Sequence, residues 1–459
     1  MLAKKRLQQG IERFRRQFGD QPTRALGVVL PCETLRTLVE EEVGYFRERI
    51  YSPLTTLGLF VGQALSPDGA CQNAVARRVS ERVARGQTAC SLNSGPYRKA
   101  RQRLPLGLIR RLALSVGVEL ERASTPDWKW RGRSVKLMDG TTISMPDTAG
   151  NQVVYPQSGV QKPGLGFPLA ILVGLLSLST GAVLGWALGP CRGKHTGEHA
   201  LFRTLMPQFD SGDIVLADRY HCNCFTAGLL IERGADLVTR QHQRRHTNFE
   251  RGQRLGRRDY LVDWVRPQRP SWMDHETYAR MPERLTMRET EIAGRIVVTT
   301  LVDHKLVSAA EIDRLYNRRW QVEVDLRSIK AEMGMDILRA KTPTMIDKEI
   351  AAYLLAYNLV CALMTSAAVG AHVTARSLSF KGTLQLLLAF EQQLRFGAGS
   401  GVKIMTAHLL GAISQLKLPV RPGRIEPRAI KRRPKNHQLL TIPRKIARAM
   451  IICSRGLAA

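Results

Sequence analysis

Residues Leu315 to Lys330 read LYNRRWQVEVDLRSIK. On a helix at about 100° per residue, with Tyr316 set at about 0°, Arg319 falls near 300°, Glu323 near 340° and Lys330 near 320°. The four polar residues share one arc. Leu315, Val322, Leu326 and Ile329 occupy the adjoining stripe, at about 220–280°. Such a helix docks by its apolar stripe and presents Tyr, Arg, Glu and Lys at the rim of a core. Arg319 and Glu323 are four apart and also suit a plain surface ion pair, worth a few tenths of a kcal/mol. That pairing leaves Tyr316 and Lys330 on the same arc without an explanation.

Two aspartates complete the pattern. Ser134 to Met138 (SVKLM) is a short apolar strand ended by Asp139-Gly140-Thr141-Thr142. Asp213 to Ala217 (DIVLA) is another, ended by Asp218-Arg219-Tyr220. Isolated strand-end aspartates commonly cap turns. Here, carboxylates from neighbouring strand ends and Glu323 from a packed helix converge into a hard-oxygen site. That chemistry suits Mg²⁺, and paired cations about 3.5–4 Å apart drive phosphodiester displacement. Without a cation, three clustered carboxylates repel one another and their pKa values rise.

The rest of the chain supports a polyanionic partner. It has 459 residues, 69 basic and 39 acidic, a net charge of +30. That surplus argues against a typical small-metabolite enzyme. A hydrophobic share of 44% excludes wholesale disorder. The eight cysteines form no framework, which fits a reducing compartment. His221-Cys222-Asn223-Cys224 lacks the second ligand pair of a structural zinc site and reads as packing cysteines. The N-terminus is charged and is no secretory signal. Leu169 to Leu188 is uncharged and as long as a membrane span. Its central Ser179-Thr180-Gly181 instead predicts two buried strands joined by a hairpin.

Elements alternate in type from about residue 130. Helices are expected over Arg36–Tyr51, Tyr97–Leu104, Glu198–Met206, Phe225–Arg233, from about Ala309, and over Glu349–Val369. Further strands are expected over 236–239 and 295–302. The result is an α/β fold with a mixed sheet. Four of the eight residues in 97–104 are basic, either a solvated face or, as the global excess favours, a phosphate-contacting helix. Residues 240–258 hold seven arginines, among them Arg244 and Arg245, against Glu250 alone. Residues 376–459 carry 16 basic side chains and two acidic ones. The stretch Arg421–Lys435, with Arg432 and Arg433, reads as a DNA-backbone arm or a flexible tail.

Taken together, the chain resembles the bacterial DDE transposases of the insertion-sequence-four family, marked by Tyr-x2-Arg-x3-Glu-x6-Lys. Tyr316, Arg319, Glu323 and Lys330 match that spacing. Asp139-Gly140-Thr141 and Asp218-Arg219-Tyr220 resemble the two Asp motifs. Thr299-Thr300-Leu301, Ala356-Tyr357-Asn358 and the Arg421–Lys435 arm extend the likeness over residues 90–435. The resemblance implies a ribonuclease H-like catalytic core with a β-rich insertion. The expected division is a helical DNA-binding region over 1–125, the catalytic domain over 126–375 with the insertion at about 240–293, and a basic, DNA-contacting or dimerising region over 376–459.

It further implies that Asp139, Asp218 and Glu323 bind two divalent ions, nominally Mg²⁺ with Mn²⁺ as a substitute. The implied reaction is nicking at the element ends, attack by the freed 3′ hydroxyl, a hairpinned end in relatives, and strand transfer into target DNA. Tyr316, Arg319 and Lys330 would grip phosphates, and Arg244, Arg245, Arg432 and Arg433 would add DNA contacts. Trp264 or Trp272 would stack a flipped base or else be buried core. His195 and Glu198 receive no role beyond a helix start. The implied partner is double-stranded DNA, bound by a homodimer in the bacterial cytoplasm at the nucleoid, with no membrane and no nucleotide cofactor. A catalytically silent DNA-binding protein and a ribonuclease H-like nuclease without joining activity are the competing readings.

Overall fold

A computed structural model describes residues 32–46, 49–193, 196–396, 400–419 and 438–454. The Arg421–Lys435 arm, with Arg432 and Arg433, and His195 lie outside the described residues. Nine strands form one sheet: β1 (Val135–Ser144), β2 (Leu169–Ser177), β3 (Val183–Pro190), β4 (Ile214–Ala217), β5 (Asp236–Arg240), β6 (Gln253–Gly256), β7 (Asp259–Val265), β8 (Arg284–Ile292) and β9 (Arg295–Thr299). Their order is β3-β2-β1-β4-β5-β9-β8-β7-β6. β1 is antiparallel to β2 and parallel to β4, and β4 is parallel to β5. This 3-2-1-4-5 half is a ribonuclease H-like core. The β-rich insertion, β6 to β8, joins the same sheet through β9, which pairs antiparallel with both β5 and β8.

The uncharged stretch at 169–188 is the β2–β3 hairpin, turning at Gly181 with φ +82°. β1 runs further than its apolar text suggests. It continues through Asp139, Gly140 and Thr141 to Ser144, because β2 pairs with it along that whole length. The Arg36–Tyr51 helix is shorter than expected: it spans Cys32–Val43, and the chain turns at Gly44 with φ +63°.

Both faces of the β3-β2-β1-β4-β5 half are apolar and covered, as the unbroken apolar text of β2 and β4 requires. Alternation sends Leu137, Leu172 and Leu216 to one face and Met138, Val173 and Val215 to the other. The first face meets helices Leu106–Ala123 and Pro343–Gly370. Helices on either side of the catalytic sequence share that core, through Leu35 and Phe60 before it and Leu409 and Ile413 after it. Helix Pro343–Gly370 is long and apolar enough to cross a membrane, but its most apolar window is wholly buried in the fold.

Ala356-Tyr357-Asn358 serves as a structural tie within this helix. Asn358 Nδ2 donates to Ala113 O and Val183 O, both at 2.9 Å, and its Oδ1 accepts from Val183 N–H at 2.8 Å. Tyr357 O–H donates to Gly181 O at 3.1 Å. Helix Leu106–Ala123 comes so close that a Cβ on Gly117 would lie 2.2 Å from Val183 O. The hairpin is thus joined to two helices by a buried amide. Replacing Asn358 by Leu removes three buried hydrogen bonds, each worth roughly 0.5–1.5 kcal/mol net, although Ala113 O keeps its partner within helix Leu106–Ala123. We expect Asn358→Leu to lower the unfolding free energy from chemical denaturation by about 3 kcal/mol; a value within error of the parent would discount this tie.

Candidate active site

The parallel register of β1 and β4 pairs Val135 with Ile214, Lys136 with Val215 and Leu137 with Leu216. Two residues further along the chain stand Asp139, still within β1, and Asp218, the residue just past the end of β4. They therefore lie at one level of neighbouring strands, which are about 4.8 Å apart, on the face shared by Leu137 and Leu216. Asp139 Oδ1 accepts from Gly140 N–H at 2.9 Å. Asp218 caps a short turn, with Oδ1 accepting from Tyr220 N–H at 2.9 Å, and its carbonyl accepts from Thr239 Oγ1 at 2.7 Å.

The segment carrying Glu323 is not one regular α-helix. It is α-helical over Ala309–Asn317, 3₁₀ over Arg318–Trp320, α-helical again over Gln321–Arg327 and π-helical over Ser328–Glu332. The tight 3₁₀ turn advances the rotation and the wide π turn retards it, so the shared arc survives. Arg319 Nη2 donates to Glu323 Oε1 at 2.6 Å, and Nη1 stands 3.5 Å from Asp139 Oδ2. The expected ion pair and the convergence on the aspartate thus coexist. Lys330 Nζ donates to Thr141 Oγ1 at 3.1 Å, on the Asp139 face of β1. Tyr316 is buried at 7% exposure, and burial pushes its phenol above the ordinary value. It floors the site.

Asp139 is pushed up to about 6, first by burial, then moderated by Arg319 and raised by Glu198 and Asp218. The rise expected from carboxylate repulsion is present, with desolvation as its larger cause.

Glu198 is the residue that sequence reasoning passed over. Its Oε1 lies 2.8 Å from His221 Nε2. Ligand atoms of Glu198, Asp218 and His221 all fall within 4.8 Å of one another. The spacing of these residues along the chain gave no signal; only folding brings them together. Cys222 and Cys224 are buried, and burial pushes the Cys222 thiol up to about 12.

The insertion meets the core at a cleft of about 670 Å³, lined by His199, Tyr220, Arg244, Arg245, Trp264 and Trp272 among others. Trp264 is 3% exposed, its Nε1–H donates to Glu289 Oε1 at 2.8 Å, and the Arg245 guanidinium covers its ring at 3.7 Å. Its ring is therefore not free to stack on a base. Trp272 is half-buried, with Arg203 over its ring at 3.8 Å. Arg244 is exposed, whereas Arg245 also pairs with Glu289 at 3.3 Å.

Comparison with known proteins is consistent with this geometry. Residues 130–359 match the family described as "Transposase DDE domain". The chain is 29% identical over 366 residues to the transposase InsG for insertion sequence element IS4 of Escherichia coli (strain K12), covering 76% of this chain and 78% of that protein. It is 34% identical over 82 residues to the putative transposase InsL for insertion sequence element IS186A of the same strain, 18% of this chain and 22% of that one. Among solved structures, the piggyBac transposase synaptic complex with hairpin DNA aligns over 91% of this chain and 87% of that one, at 11% identity and a TM-score of 0.44. With an aspartate inside β1, another just past the end of β4 and a helix glutamate, all within the matched segment, the chain belongs to the DDE transposase family and is a DNA transposase of the IS4 type.

Proposed function

We propose that this transposase cuts phosphodiester bonds at the ends of its insertion sequence and joins the freed 3′ ends to target DNA, with Asp139, Asp218 and Glu323 as the metal ligands. The observation that carries the reading is the placement of Asp139 and Asp218 at one level of adjacent parallel strands, with Glu323 linked to Asp139 through Arg319. The donor set fits Mg²⁺, with Mn²⁺ as a substitute: all three are hard carboxylate oxygens. One of them sits where burial alone disfavours its charge, a penalty that a bound cation relieves. When bound, the ions supply an activated water or hydroxyl and offset charge on the leaving oxygen.

This chain's own groups do the positioning. Arg319 uses part of its five-donor fork on two carboxylates and has donors left for a phosphate. Lys330, held beside Asp139 by Thr141, adds a point charge. Tyr316 supports Arg319 from below. Exposed Arg244 and half-exposed Trp272 face the cleft beside Tyr220, and there they contact the DNA strand near the cut. The basic helix Gly95–Arg103 buries Tyr97 and Ala100 and turns Arg98, Lys99 and Arg103 to solvent; these engage the DNA backbone, as do Arg432 and Arg433. The division into regions 1–125, 126–375 and 376–459, action as a homodimer on two DNA ends, and a place at the bacterial nucleoid in the cytoplasm belong to the same reading.

Asp218→Asn and Glu323→Gln should each abolish cleavage of inverted-repeat DNA in Mg²⁺ while leaving the gel-shifted complex nearly unchanged. Cleavage by purified Asp218→Asn would remove it from the metal site.

Asp139 gives a separate test by linkage. Its folded pKa, about 6, lies above the ordinary value of 3.8. Its protonated form therefore favours the fold below about pH 4, and that advantage is lost as pH rises through 6. In metal-free protein, Asp139→Asn should stabilise the fold at pH 7.5 by on the order of 2 kcal/mol, lose that gain at pH 4, and lack cleavage. Melting scans at the two pH values check it; an equal effect at both would contradict the burial argument.

A further inference from the structure

Helix Glu198–Arg203 packs on the sheet face opposite to the Glu323 helix. Its Leu201 and Phe202 lie in the cluster with Met138, Val173 and Val215, whereas Val322 and Leu326 lie with Leu137 and Leu216. Its first residue, Glu198, nevertheless reaches Gly140 within β1 and Asp218 just past the end of β4. A Cβ on Gly140 would stand 2.7 Å from Glu198 Oε2, so the carboxylate passes through a space that exists only because residue 140 has no side chain. Glu198 remains partly open to solvent, at 27% side-chain exposure. A simple helix start does not require this approach to Gly140.

His221 sets the direction of that carboxylate. Its ring is fully buried and sits edge-on to Phe202, with centroids 5.1 Å apart, and to His199 at 4.6 Å. Nε2 faces Glu198 Oε1 at 2.8 Å, while Nδ1 has no partner. An ionised carboxylate only accepts, so Nε2 is the donor in this contact. Holding Oε1 in this way leaves Oε2 against Gly140, next to Asp139 in β1 and near Asp218 past the end of β4. An imidazole that aims a carboxylate is a common outer support of a metal site.

We infer that Glu198 is a fourth carboxylate ligand of the divalent-cation site, with His221 as its positioning residue and Gly140 as the gap that admits it. The inference rests on the reading of Asp139 and Asp218 as metal ligands. It accounts for each residue of Asp139-Gly140-Thr141: the first is a ligand, the second admits Glu198, and the third seats Lys330. It also makes the sheet side a three-carboxylate cation site that does not depend on Glu323.

The test is Mn²⁺ titration of the full-length protein, followed by loss of the free-ion electron paramagnetic resonance signal, with thermal melts to verify folding. Glu198→Gln should weaken the tighter Mn²⁺ site by about tenfold or more. Gly140→Ala should match it, because only the far end of a flexible side chain must shift. His221→Leu should fall toward the same level, and His221→Gln, which retains a donor, should recover much of the affinity. Wild-type Mn²⁺ binding by folded Glu198→Gln, alongside weakened binding by Asp218→Asn, overturns the role of Glu198 and leaves the aspartate site standing. Wild-type binding by both variants overturns the metal-site reading itself, and this inference with it.

Discussion

Two carboxylates at the same level of neighbouring parallel strands constrain the rest of this structure. At strand spacing, like charges repel, and burial makes each charge costlier still. The register that creates the problem is strongly specified. A one-residue slip of β4 against β1 would turn Leu216 and Ile214 out of one core and Val215 out of the other, because both faces are covered. The position of Asp218 beside Asp139 therefore follows from apolar packing, not from any attraction between them. The sheet in turn is held by the buried amide of Asn358, which ties the β2–β3 hairpin to two helices. Stability is built into the apolar body of the sheet, and the neighbouring carboxylates are held where that packing puts them, inside β1 and just past β4.

Positive charge answers this locally and globally, by different means. Next to the carboxylates, Arg319 binds Glu323 and faces Asp139. In the insertion, much of the arginine excess is used internally. Arg288 forms a buried pair with Asp259, with Nε to Oδ1 at 2.8 Å, and donates to Val307 O at 2.6 Å. Arg258 pairs with Glu291 and lies over Phe249. Arg244, Arg251, Arg254 and Arg257 remain exposed. A charge count thus overstates the number of DNA contacts, yet the residual exposed charge still gives the long-range field that attracts a polyanion.

The readable parts of the sequence were those governed by short-range pattern. The hairpin at 169–188, the strands at β4 and β5, and the segment from Tyr316 to Lys330 follow from periodicity and turn chemistry within a few residues. Asp139 was legible as a strand-end acid, though its strand continues because β2 supplies a partner that local text does not encode. What was not legible depended on distance in the chain. Glu198 meets His221 and Gly140 only after the sheet has brought residues 140, 198 and 221 together. Trp264 looked as available as Trp272, and only the fold shows Arg245 and Glu289 closing around it. Arg101 looked like one of four equivalent basic residues, yet it packs over Phe60 at 4.8 Å and donates to Gln63 Oε1 at 3.1 Å.

The irregular helix follows from the same constraint. Glu323 is linked to Asp139 through Arg319, while Asp325, two residues on, is buried and pairs with Arg376 at 2.6 Å. Arg376 also donates to Leu178 O at 2.9 Å and to Ser177 O at 2.5 Å, at the end of β2. One turn is thus pinned on both sides, by Arg319 toward the aspartates and by Arg376 toward the hairpin. A regular helix through this fixed turn would already keep Arg319, Glu323 and Lys330 on one arc. The 3₁₀ turn before it and the π turn after it are the two adjustments a helix can make without breaking its hydrogen bonding. Their effects on the rotation oppose each other, so Arg319 and Lys330 still meet β1 on either side of a turn whose own orientation is set by burial.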